Sequence, residues 1–132
     1  RMRAIQQRRQ SGDVVDPAEE REIFQRWERS LAAYERAIEL DPANPTYYND
    51  AGVVLHYNLR RDLDRALSLY ERSIELAEAR LDLGQLSDEE RAQFQQYVGW
   101  AENNRRLLIE LMKADETSDE GDGEADPAGG SR

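Results

Sequence analysis

The chain contains no cysteine among its 132 residues. A disulfide framework and any thiolate metal site are therefore excluded. A single histidine, His56, excludes every mechanism that needs two. No apolar run approaches the ~18 residues of a membrane span, and no apolar stretch follows the basic start as a signal peptide requires. Bases are outnumbered, 18 against 28 acids, giving a formal charge of −10. Such a chain is repelled by nucleic-acid phosphates and anionic lipid. Neither a nucleic-acid partner nor direct membrane insertion is expected. The composition fits a soluble, cytoplasmic setting, or the soluble part of a membrane-anchored protein.

What is present is charge and helical periodicity. Charged residues make up 35% of the chain, against about 25% in an average globular protein. Hydrophobic residues make up 39%, too many for a wholly disordered chain. The charge is uneven. Residues 1–10 carry four arginines and no acid, and 1–15 read as a basic segment and linker. Residues 114–132 hold seven acids and one arginine, with no aromatic, Leu, Ile or Val. They have too little apolar surface to offset the entropy of ordering and are expected to be a disordered acidic tail. The helical domain is expected over 16–113.

Strand signals are absent, and helix punctuation is plain. Asp16-Pro17 is an N-cap followed by a proline suited to the first turn, with Glu19 and Glu20 complementing the dipole. Ile23, Phe24, Trp27, Leu31, Tyr34 and Ile38 then recur in steps of one helical face. The helix should stop at Asp41-Pro42. Pro45 opens a second helix to about Leu59, and a third runs from Leu63 to about residue 82. Its stripe includes Leu63, Ala66, Tyr70, Ile74 and Ala77, and Gly84 is its stop. Ser87-Asp88-Glu89-Glu90 is a capping box opening a fourth helix to about 113.

Tyr34-Glu35-Arg36-Ala37-Ile38-Glu39-Leu40 recurs as Tyr70-Glu71-Arg72-Ser73-Ile74-Glu75-Leu76, with one position changed. A period in this range filled by two helices indicates a helical repeat. Tyr48-x2-Ala51-Gly52-x2-Leu55, then Ala66-x3-Tyr70, then the phrase Ala37-Ile38-Glu39-Leu40-Asp41-Pro42, resemble the tetratricopeptide repeat (TPR) over roughly residues 25–77. The resemblance implies an all-α fold: antiparallel helix pairs in a right-handed α-solenoid, closed here by a long C-terminal capping helix. The offset exceeds the usual unit of about 34 residues. The extra length fits a longer turn near Leu59-Arg60-Arg61.

Gly52 in mid-helix costs roughly 1 kcal/mol relative to alanine. Its return is expected to be close approach of the next helix near Ala66 or Tyr70, with Tyr34 and Tyr70 filling the space between turns. The resemblance places Thr46, Asn49, Val53 and His56 on the concave surface, as a weakly charged groove for a peptide or helical segment of another protein. In the TPR family the chaperone-tail clamp uses basic residues on the inner faces. The helix after Pro45 has none before Arg60, which argues against that ligand class.

The plainer readings outweigh catalysis. His56 has no positioned partner and no HExxH, GxSxG or P-loop motif beside it. Asn49-Asp50 lacks the shaped oxygen loop of a cation site. No enzyme activity, cofactor or metal is expected. Trp100, at the edge of its stripe, is the secondary contact candidate. The chain is expected to be an interaction scaffold. The alternative is a self-assembling or capping piece of a longer solenoid.

Overall fold

The computed structural model describes residues 16–125, with side chains to Thr117. The expected basic segment at 1–15 and the end of the tail at 126–132 lie outside the described residues. Four helices follow in order: α1 (Pro17–Leu40), α2 (Pro45–Val53, continued by a π-helical segment, Val54–Leu59), α3 (Leu63–Leu83) and α4 (Asp88–Ala125). No strand occurs among the described residues.

The boundaries are set by local chemistry. Asp16 Oδ1 accepts from the Ala18 N–H at 3.1 Å, and Asn44 Oδ1 accepts from the Thr46 N–H at 3.0 Å. Each cap precedes a proline at the first helical position, where the missing N–H costs nothing. α1 ends at Asp41, whose N–H closes on the Ala37 carbonyl at 2.9 Å. Gly84 ends α3 at φ 73°, in the left-handed region. The capping box at α4 is reciprocal: Ser87 Oγ accepts from the Glu90 N–H at 3.1 Å, and Glu90 Oε1 accepts from the Ser87 N–H at 3.0 Å.

Consecutive helices pack antiparallel around one core. Leu31 of α1, Ala51, Val54, Leu55 and Leu59 of α2, Ala66 and Tyr70 of α3, and Leu108 of α4 form its buried centre. Trp27, Tyr34 and Ile38 close its α1 side. Phe24, expected in the α1 stripe, is instead exposed, with the Arg61 guanidinium 6.0 Å above its ring.

The expected approach at Gly52 is present. A Cβ there would stand 2.7 Å from Cε1 of Tyr70 and 3.3 Å from the Ala66 carbonyl oxygen. The extra length of the repeat is taken up differently from the expected longer turn. The last six residues of α2 widen into the π-helical segment, and the turn at 60–62 stays short. The turn places Arg60 and Asp62 in left-handed backbone, at φ 55° and 51°. Arg61 between them pairs with Glu28 of α1, tying the turn to the first helix.

α4 packs mainly on α3 and touches α2 at a few points. At 38 residues it is about 57 Å long, against roughly 31 Å for the 21 residues of α3. It continues past Lys113, so residues 114–125, expected as disordered tail, extend the helix. No proline interrupts 88–126, and Thr117 Oγ1 donates back to the Lys113 carbonyl at 2.9 Å. No proline breaks the helix there, and Gly121 and Gly123 each cost it roughly 1 kcal/mol relative to alanine.

Candidate functional site

Thr46, Asn49, Val53 and His56 follow one another down a single face of α2, and α4 divides them. Asn104 of α4 donates from Nδ2 to Asn49 Oδ1 at 3.0 Å, and its own Oδ1 accepts from the Tyr57 hydroxyl at 3.3 Å. The closing helix thus spans the face from Asn49 to Tyr57. Val53 packs against the core. His56 is 5% exposed. Its Nδ1 is hydrogen-bonded to the Tyr70 hydroxyl at 2.9 Å, and its ring stacks on Tyr57 at 4.0 Å. Burial holds the imidazole below its ordinary value, so it is neutral at pH 7. Burial first, then the neighbouring Tyr57, pushes the Tyr70 phenol upward. The pair is an internal polar joint between α2 and α3. Its groups face each other.

The other end of the same face is open. Thr46, Asn49 and Asp50 of α2, with Ser73 of α3, form the floor of a cavity of about 320 Å³. Gln96, Tyr97 and Trp100 of α4 form its wall. Trp100 is 50% exposed, and its ring lies 6.0 Å from that of Tyr97, which in turn meets Phe94 edge-on at 5.5 Å. The structure therefore brings Thr46, Asn49 and Trp100 to one site, and turns Val53 and His56 inward. Of the residues assigned to packing, Gly52, Ala66 and Tyr70 are buried and Tyr34 is half-buried.

Asp50, Gln96 and Tyr97 are additional members of the site. Asp50 carries its charge at a cost: burial raises its carboxyl above the usual range, and among the described residues no neighbouring cation or hydrogen bond offsets this. Its position three residues before Val53 gave no signal of this. A second, larger hollow of about 490 Å³ lies beside the first, past Tyr97, and is lined in part by Pro45, Leu76, Leu83 and Phe94. Leu83 at its rim is strongly exposed. Among the described residues no group of three or more His, Asp or Glu side chains is placed to hold a metal ion. No helix there is long and apolar enough to cross a membrane.

Antiparallel helix pairs stacked with a small residue at the crossing define a helical-repeat fold, and a polar hollow lies on the face of one first helix. In the family comparison, residues 25–58 match the TPR repeat. The matched stretch covers the last two thirds of α1, the turn at 41–44 and α2 to the next-to-last residue of its π-helical segment. It therefore straddles the junction between two repeat units. No curated protein and no solved structure matches the chain. TPR repeats generally mediate protein–protein interaction and generally lack catalysis.

Proposed function

We propose that this chain is a protein–protein interaction scaffold, and that a linear segment of a partner seats in the hollow between Thr46, Asn49 and Trp100. The observation carrying this reading is the juxtaposition itself. A half-exposed indole stands over unfilled polar space on the helix face that the repeat resemblance assigns to ligand. Peptide sites of this kind combine an aromatic or apolar anchor with a few polar groups that fix orientation. The acidic chain favours basic partners at long range, so association should slow as salt rises.

Substitutions at Val53 and His56 are poor probes of this groove, because a glutamate at His56 would bury a charge and unfold the joint with Tyr70. Thr46→Glu with Trp100→Ala is the appropriate pair. The full chain is panned against a displayed library of linear peptides, and selected binders are re-measured on the double variant. The expected result is at least a tenfold loss of affinity with an unchanged helical circular dichroism spectrum. Unchanged affinity would remove the hollow as the site.

Exposed Leu107 and Leu111, continuing the line of Trp100 along α4, favour self-association as a second reading. Sedimentation showing a mass that rises with concentration would support it.

A further inference from the structure

We infer that the hollow at Asp50 and Trp100 takes a guanidinium group, so that the partner segment is anchored there by an arginine side chain. The inference rests on the groove reading above and specifies its ligand.

Three independent features of the site point this way. The first is charge. Among the described residues no lysine or arginine lines the hollow; on α3 Arg72 pairs with Glu75 at 2.8 Å, and on α4 Arg105 pairs with Glu71 of α3 at 3.5 Å. Among the described residues Asp50 is therefore a half-buried carboxylate without a counter-ion, and an incoming cation would restore what its burial costs. The second is the wall. Trp100 offers an exposed indole, the ring that attracts cations most strongly. A planar guanidinium can lie against it while turning its edge to a carboxylate, a geometry an ammonium cannot reproduce. The third is the remaining polar lining. Gln96 and Thr46 border the same space, and their side-chain oxygens are acceptors for N–H groups that Asp50 leaves unused. A cluster of acids alone would attract any cation. One acid, one exposed indole and neutral acceptors around a bounded space select a flat, multiply donating one.

The test uses N-acetyl-arginine methylamide as the probe and the neutral N-acetyl-citrulline methylamide as its isostere. Each is titrated into the ¹⁵N-labelled full chain while the indole N–H resonances are followed. Trp27, in the α1 core, is the internal control. Arginine should shift the Trp100 indole saturably, at least fivefold more tightly than citrulline, with Trp27 still. Asp50→Asn should lose at least fivefold in affinity while melting no lower than the parent, since it removes an uncompensated buried charge. Trp100→Ala, read through the Asn49 side-chain amide, should also weaken binding. Equal binding of citrulline, equal binding by Asp50→Asn, or equal shifts at Trp27 would each overturn the inference. A chain lacking residues 1–10 serves as a further arm. If it binds the probe tenfold more tightly than the full chain, the arginines of the N-terminus were the occupant, and the assignment to a partner fails. The two readings fail separately. A peptide mapped to the hollow that carries no arginine overturns only the guanidinium. Arginine bound there, with no peptide selected by the panning, overturns only the peptide groove.

Discussion

The ring of Tyr70 lies across the backbone of Gly52 with no room for a methyl group between them: a Cβ on Gly52 would meet Cε1 and Cδ1 at 2.7 and 2.9 Å. Tyr70 has no exposed surface and its hydroxyl is held by His56, so the ring has nowhere to retreat. Even Gly52→Ala should therefore destabilise. Overpacking costs about 1–3 kcal/mol, and the gain in helix propensity returns about 1 kcal/mol. A net loss is expected, read as a fall of several degrees in the thermal midpoint. Gly52→Leu should lose more. An alanine variant that melts at or above the parent would show that α2 and α3 can separate without cost.

Ser73 is the single departure between the two copies of the seven-residue repeat, standing where the first copy has Ala37. Its Oγ donates to the Pro45 carbonyl at 2.8 Å, and the side chain is 1% exposed. The bond pins the start of α2 to the middle of α3, next to the floor of the hollow. Ser73→Ala should cost about 1 kcal/mol, measured by urea unfolding with an unchanged m-value. No change in the midpoint would mean that the Pro45 carbonyl is served equally well without it.

Features decided within a few residues were legible in the sequence. The cap at Asp16, the prolines at Pro17 and Pro45, the stop at Gly84 and the Ser87–Glu90 box each depend only on their own turn. Gly52 was legible because a glycine in mid-helix demands an external reason. The widening of α2 at Val54–Leu59 was not, since it is a choice between two ways of absorbing length that only the packing of the following turn decides. The fate of the expected groove was also hidden. Asn49 and Asn104 are 55 positions apart, and no periodicity in α4 announces which of its amides will reach α2. The resemblance placed Thr46 and Asn49 on the face of α2 where the hollow lies, and the edge position of Trp100 marked its exposure. That these meet around Asp50 follows from the crossing of α4 alone.

His56 gives the fold a pH dependence of definite sign. Its folded-state pKa lies below the ordinary 6.5 because burial disfavours the imidazolium. The unfolded chain therefore binds the proton more readily, and stability rises with pH through the window from the folded value up to about 6.5. Above that window the contribution is complete, and it is lost as pH falls through it. Asp50 acts in the opposite sense at lower pH, because its carboxyl is raised above 3.8 and the folded state holds that proton longer. Urea unfolding at pH 7.5 and pH 5.5 should show the parent less stable at the lower pH. His56→Gln should flatten that difference, whatever it does to stability at pH 7.5. A slope that survives the substitution would assign the dependence to other groups.

Met112 is the last residue of α4 among the described side chains that packs against the core, and Lys113 to Thr117 are all exposed. The helix beyond Lys113, to Ala125, carries six acids and no base, and residues 114–132 together hold a net charge of −6. Acids at a helix C-terminus oppose the macrodipole, and their mutual repulsion adds to this. Neither effect reaches the packed helices, because exposed charges are screened within about 10 Å at 0.1 M salt. Truncation after Lys113 should accordingly leave the thermal midpoint within about 2 °C of the parent, a shift below ~0.5 kcal/mol for a domain of this size. It should remove helical signal in proportion to the turns lost. It should also lower solubility near neutral pH, since the formal charge falls from −10 to −4 (−10 + 6). A midpoint that drops by 10 °C or more would show that residues beyond 113 dock onto the array.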